Sequence, residues 1–158
     1  MLLLSALPGT ATALPDSNQI EFSNCMLALP GTSLTAAARC GHLDVPENPA
    51  EPQGKTITLN IAMAPATGKS GEPDPVFFFA GGPGQAASET WVMLRSVLSK
   101  IRKHRDIVMI DQRGTGGSNK LTCPSEVEAG LNQEVDLDLI RTEAEKCLTS
   151  LNGDPRFY

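Results

Sequence analysis

Two glycine-rich stretches in this chain each follow a short apolar run. Gly81-Gly82-Pro83-Gly84 comes after Val76-Phe77-Phe78-Phe79, and Asp111-Gln112-Arg113-Gly114-Thr115-Gly116-Gly117-Ser118 comes after Ile107-Val108-Met109-Ile110. Glycine lets a backbone approach a ligand with no side chain between them, and proline stiffens the turn beside it. Three uses fit such a loop after a buried strand. It can aim backbone N–H groups at a developing oxyanion, cradle a dinucleotide pyrophosphate, or merely turn the chain sharply.

The dinucleotide reading is the serious rival. Gly82-Pro83-Gly84-Gln85-Ala86-Ala87 matches G-x-G-x-x-[GA] between a predicted strand and helix, and Asp111 ends the next strand, where a ribose-binding acid belongs. Against it, Pro83 has no N–H to offer an anion, and Gly81 is a glycine that the fingerprint does not ask for. A disulfide-bearing exported protein is also an unusual home for a nicotinamide enzyme. Gly68-Lys69-Ser70 looks like the end of a phosphate loop, but position 63, where the first glycine belongs, is Met63. The oxyanion reading fits better. Acyl transfer places negative charge on a carbonyl oxygen, and one preorganised donor there is worth about 3 kcal/mol in kcat.

The surrounding elements must hold these loops. Thr56–Ala64 alternates, with Ile57, Leu59, Ile61 and Met63 on one face, and predicts a half-buried antiparallel strand at a sheet margin. Residues 14–54 read as loops around one short strand at Cys40–Val45, closed by Pro46, Pro49 and Pro52, and 65–75 as a surface linker. Val76–Phe79 and Ile107–Ile110 read as strands covered on both faces. Between them Ser88 is expected to cap a helix bearing Trp91, Leu94, Leu98 and Ile101 at helical spacing. Together these form a βαβ unit. Ser125 and Glu128 suggest a capping box. Asp136 is expected to cap a last helix with Leu137, Ile140, Ala144, Leu148 and Leu151 on its apolar face, stopped by Gly153 and Pro155.

Composition narrows the class. The 158 residues are 41% hydrophobic, enough for one core, and the net charge of −5 argues against a nucleic-acid surface. The dense basic run Lys100, Arg102, Lys103, Arg105 sits at a predicted helix end, where cations complement the dipole. Leu2-Leu3-Leu4 leads into Ala11-Thr12-Ala13, a small-x-small pattern, so residues 1–13 are expected to be a shortened signal peptide. The apolar run is too short for a membrane span. Four cysteines at local spacing suit two disulfides in an exported protein. Three connectivities are possible, and locality favours Cys25–Cys40 with Cys123–Cys147. None forms C-x-x-C, and no metal or cofactor is implied.

"GGPGQ", followed about thirty residues later by "DIVMIDQRGTGGS", resembles the α/β-hydrolases of the proline iminopeptidase and tripeptidyl aminopeptidase group. "ARCGHLDVPENPAEPQGKTITLNIAMAPA", "LTCP" and the later Cys147 resemble its exported members, so the similarity covers roughly residues 20–158. Ala80 stands where many iminopeptidases have histidine, which favours the exported branch. The resemblance implies the N-terminal portion of an α/β-hydrolase fold over 14–158, with a mixed, mostly parallel sheet and flanking helices. It implies an oxyanion N–H at Gly82, loop shape from Gly81 and Gly84, and a bracing second loop at Asp111, Gln112, Arg113 and Gly114; for Arg113 itself a structural ion pair is expected over substrate binding. The implied activity is a serine aminopeptidase acting on peptides, or on small esters and amides, outside the cytoplasm. No G-x-S-x-G occurs, and His42 and His104 read as structural. The chain alone is therefore expected to be an inactive part of a longer enzyme. The rival from another class is a non-catalytic module of the same architecture.

Overall fold

The computed structural model describes residues 20–69, 71–123 and 136–158. Three antiparallel strands precede the first glycine loop: β1 Ser23–Ala28, β2 Thr35–Pro46 and β3 Thr56–Ala64. The expectation of a single short strand before residue 54 missed β1 and the first half of β2. Thr35-Ala36-Ala37-Ala38 carries little β propensity and no large apolar residue, although Ala36 and Ala38 face inward and are buried. Cys25 and Cys40 are bonded across β1 and β2, and Cys123 is bonded to Cys147. Both pairs are the local ones.

The βαβ unit forms as expected. β4 Val76–Phe78 is followed by α1 Ala87–Leu94, the single turn α2 Ser99–Arg102 and β5 Ile107–Ile110, and β5 lies parallel to β4. The five strands are ordered β1-β2-β3-β5-β4, so the chain crosses over β5's place before returning to it. β3 therefore lies in the middle of the sheet and not at its margin, antiparallel to both β2 and β5. Its second half is covered on both faces: Ile61, Ala62 and Ala64 are all buried. The expectation of a mostly parallel sheet is corrected too, since β4–β5 is the one parallel ladder described.

Trp91 on α1 is 1% exposed and packs in one core with Ala62, Ala64, Val92, Ile107 and Met109. The predicted single helix breaks after Leu94, at the weak helix formers Ser96 and Val97, and Val97 stays exposed. The linker is pinned, not loose: the N–H groups of Thr67, Gly68 and Glu72 donate to the carbonyls of Arg102, Lys103 and His104. Gly68 is thereby committed to backbone, which removes the phosphate-loop reading. The basic run is structural as well. Arg102 donates to the Pro65 carbonyl and lies over the Trp91 ring, and Arg105 pairs with Asp74. α3 Leu137–Ser150 is capped by Asp136, whose carboxylate accepts from the N–H groups of Asp138 and Leu139. Its apolar face is not buried: Leu137, Ile140 and Leu148 are exposed. The capping box at Ser125 and Glu128 lies outside the described residues, as do residues 1–19.

β4 departs most from expectation. It has a neighbour on one side only among the described strands, and Phe77 and Phe79 are 55% and 56% exposed. An open parallel edge beside apolar side chains is a template for association. Met93, Val97 and Ile101 add exposed apolar surface along the crossover. The isolated 158-residue chain is expected to bind a hydrophobic dye and self-associate at micromolar concentration, as read by light scattering. A monomer with a sharp cooperative melt would contradict this.

Candidate active site

The first glycine loop leaves the carboxyl end of β4 and delivers the chain to the start of α1. Ala80 is buried, while Gly81 through Gln85 are exposed. Gly82 has φ +73° and Gly84 φ +91°, in the left-handed region. The Gly82 carbonyl accepts from the Gln85 N–H at 3.2 Å, closing a tight turn around Pro83. Among the described residues the Gly82 N–H has no acceptor. A loop of this kind presents backbone donors at a surface with no side chain in the way.

The second loop is bonded to the start of α1, the helix that follows the first loop. Asp111, at the end of β5, is fully buried. Its carboxylate accepts from the Ser88 N–H (2.8 Å), the Ser88 hydroxyl (2.8 Å), the Asn60 side-chain amide (2.9 Å) and the Gly117 N–H (3.1 Å). Ser88 does not cap α1 with its own side chain, as its place in the sequence suggested. It lies inside the first turn, and the Asp111 carboxylate caps the helix from twenty-three positions away. One buried side chain thus ties together β3, α1 and its own loop. Ser118, also fully buried, completes the tie. Its hydroxyl donates to the Asp111 carbonyl at 2.7 Å and accepts from the Asn60 N–H at 2.8 Å.

Gly116 lies where the two loops touch. A Cβ there would fall 2.6 Å from the Ala86 Cβ and 2.4 Å from Asp111 Oδ2, at φ +47°. Only glycine allows that approach. Gln112 contributes its carbonyl, which accepts the Thr115 N–H (3.0 Å) and hydroxyl (2.8 Å), while the residue itself is exposed. Gly114 at φ +78° exchanges backbone bonds with Ser118 and Leu121. Arg113 differs from expectation. Its guanidinium donates to two backbone carbonyls, Glu47 (2.7 Å) and Pro46 (3.1 Å), and not to a carboxylate. It is structural, but it staples the loop to the end of β2.

Sequence reading found Asp111 through Gly114 and missed Asn60, Ser88, Gly116 and Ser118, which complete the cluster. The signal for Ser88 and Asn60 was weak: single polar residues near predicted element ends. His42 and His104 are both exposed, and no serine hydroxyl among the described residues is hydrogen-bonded to either. The described residues hold no group of histidine, cysteine and carboxylate side chains arranged for a metal ion, and no described helix is long and apolar enough to cross a membrane.

No protein-family model matches the chain. It is similar to the curated "Serine protease Hip1" of Mycobacterium tuberculosis (strain ATCC 25618 / H37Rv), at 29% identity over 127 residues. The Mycobacterium bovis protein of the same name (strain ATCC BAA-935 / AF2122/97) matches equally. The match covers 78% of this chain and 22% of those relatives' length. The likeness is therefore to a serine protease in a coarse sense, over about a fifth of it. The fold is a mixed open sheet with flanking helices, compatible with the α/β class.

Proposed function

We propose that this chain forms the oxyanion-loop portion of an exported serine peptidase of the α/β-hydrolase type. The observation that carries the reading is the Gly82 turn: an exposed left-handed glycine with an unengaged N–H, at the carboxyl end of a parallel strand, held from behind by the buried Asp111 cap. In that fold one oxyanion donor follows the nucleophile, and the other comes from a loop of this kind after a neighbouring strand. The β3-β5-β4 crossover supports the same architecture. The similarity to proteins named serine protease supports the reaction class. Gly81 and Gly84 shape the loop, and Asp111, Gln112, Arg113 and Gly114 brace it.

The same geometry weighs against a dinucleotide site. A pyrophosphate needs the α1 N-terminus open, and a ribose needs the acid free. Here the Asp111 carboxylate occupies the helix N-terminus and spends both oxygens on four donors.

On this reading the nucleophile, acid and base lie outside these residues, which hold no G-x-S-x-G and span about a fifth of the relatives' length. In the proposed reaction the serine adds to the scissile carbonyl, the oxyanion is held by the Gly82 N–H and a second donor, and water hydrolyses the acyl-enzyme. The two disulfides and the leader-like start support an exported enzyme. The test is hydrolysis of tripeptidyl coumarin amides by the full-length protein. Substrates with a free amino terminus should be cleaved, and their N-acetyl counterparts spared. Equal cleavage of both would remove the aminopeptidase reading, and a folded protein that cleaves neither would favour the non-catalytic module.

A further inference from the structure

Behind the second glycine loop lies a polar cluster that neither the oxyanion reading nor the core requires. Glu47, just beyond β2, is 7% exposed. Its Oε1 accepts from the Tyr158 hydroxyl (2.9 Å), from Lys55 Nζ (3.1 Å) and from the Asp154 N–H (3.3 Å). The Tyr158 hydroxyl in turn accepts from the side-chain amide of Asn119, the one described non-glycine residue at positive φ, +48°. Lys55 Nζ and Asn119 also both donate to the Asn152 carbonyl, at 3.1 and 3.3 Å. The backbone on either side is engaged as well: the Glu47 N–H donates to the Lys55 carbonyl, and the Glu47 carbonyl takes Arg113. The Tyr158 ring lies against Gly114, where an added Cβ would come within 3.1 Å of it. The second loop is thus gripped at both ends, by Arg113 on Pro46 and Glu47 and by Asn119 on Tyr158.

We infer that Glu47 and Tyr158 are positioning residues, a carboxylate–phenol lock that fixes the 112–119 loop and, through Asp111, the helix start that follows the oxyanion glycines. The link to catalysis rests on the hydrolase reading; the lock itself does not. Three features support it. First, Glu47 and Tyr158 are 111 positions apart, so their bond has no local purpose and joins the β2–β3 turn to the segment after α3. Second, a buried carboxylate with three donors is costly to leave incomplete, so the bonds support one another. Third, the protonation states suit it. Burial alone would push the Glu47 carboxyl up, but the bonds from Tyr158, Lys55 and the Asp154 N–H hold it below its ordinary value. Burial and then the Glu47 bond push the Tyr158 phenol above its own. Around neutral pH the acceptor stays charged and the donor stays protonated.

The experiment is amide hydrogen exchange on the full-length protein, comparing wild type with Tyr158→Phe and Glu47→Gln. Tyr158→Phe removes only the hydroxyl. Exchange at Gly114, Thr115, Ser118 and Leu121, whose N–H groups bond within the loop, should quicken about tenfold, while the β2–β3 ladder is unchanged. Glu47→Gln keeps an acceptor oxygen and should show a smaller rise at the same amides. Where the wild type turns over a peptide amide, Tyr158→Phe should lower kcat several-fold with KM unchanged. Loop exchange equal to wild type in Tyr158→Phe would overturn the lock, and so would a uniform rise across the sheet. A quickened loop with unchanged kcat would overturn the catalytic link. A wild type with no turnover would remove the hydrolase reading, and the exchange data would still decide the lock.

Discussion

In the full-length protein, Gly82→Val is expected to lower kcat for a peptide amide by about 10²–10³ with little change in KM. The reason is local. At φ +73° a β-branched residue is strained wherever it has room, so valine must rotate the peptide that carries the Gly82 N–H. Space is not the obstacle, because the nearest atoms to an added Cβ belong to the Gln85 side chain at 3.6 Å. The loop is exposed and leaves the core untouched, so the melting temperature should fall by only a few degrees, in line with about 1–2 kcal/mol for a side chain forced into the left-handed region. The affinity of a peptide boronate, which presents a tetrahedral oxyanion, should fall in parallel with kcat. An unchanged kcat in a well-folded variant would end the oxyanion role for Gly82.

The largest stability effect is expected at Asp111. Asp111→Ala strips the acceptor from Ser88 N–H, Ser88 Oγ, Asn60 Nδ2 and Gly117 N–H at once, inside a fully buried site. An orphaned buried donor costs about 1–3 kcal/mol, and such costs do not add fully in one cluster. A net loss of about 4 kcal/mol is expected in the full-length protein, read as a lower denaturant midpoint. Asp111→Asn preserves shape but turns one acceptor into a donor facing donors, so it should recover only part of the loss. Ser88→Ala removes one hydroxyl bond and should cost about 1 kcal/mol. If Asp111→Ala costs less than Ser88→Ala, the hub does not exist as described.

The parts legible in the sequence share one property: their signal is local and periodic. β3 alternates over nine residues and β5 is four apolar residues in a row, and both lie at the expected positions. Asp136 was readable as a cap because an N-cap bonds to residues two and three places on. The failures have physical causes as well. The start of β2 escaped because alanines supply its buried face, and β1 because it is short and buries only Leu27. Four apolar residues at 76–79 looked covered on both faces, but among the described residues nothing covers the face that Phe77 and Phe79 share, and such cover depends on long-range packing. Ser88 was misread because the preferred cap for α1 is a carboxylate from the next strand, which no helix-end rule searches for. The Glu47–Tyr158 bond left no trace in any window. The two glycine loops could be located from sequence; the buried aspartate that ties the second loop to β3 and the start of α1 is visible only in the fold.

The central claim is that the Gly82 loop serves a serine nucleophile. The most direct measurement is fluorophosphonate labelling of the full-length protein, with the labelled serine mapped by mass spectrometry and the rate compared with that of Gly82→Val. The account predicts stoichiometric labelling of one serine outside residues 1–158, slowed at least about a hundredfold by the substitution. Failure of the folded protein to label, labelling of a serine within these residues, or an equal rate in Gly82→Val would contradict it.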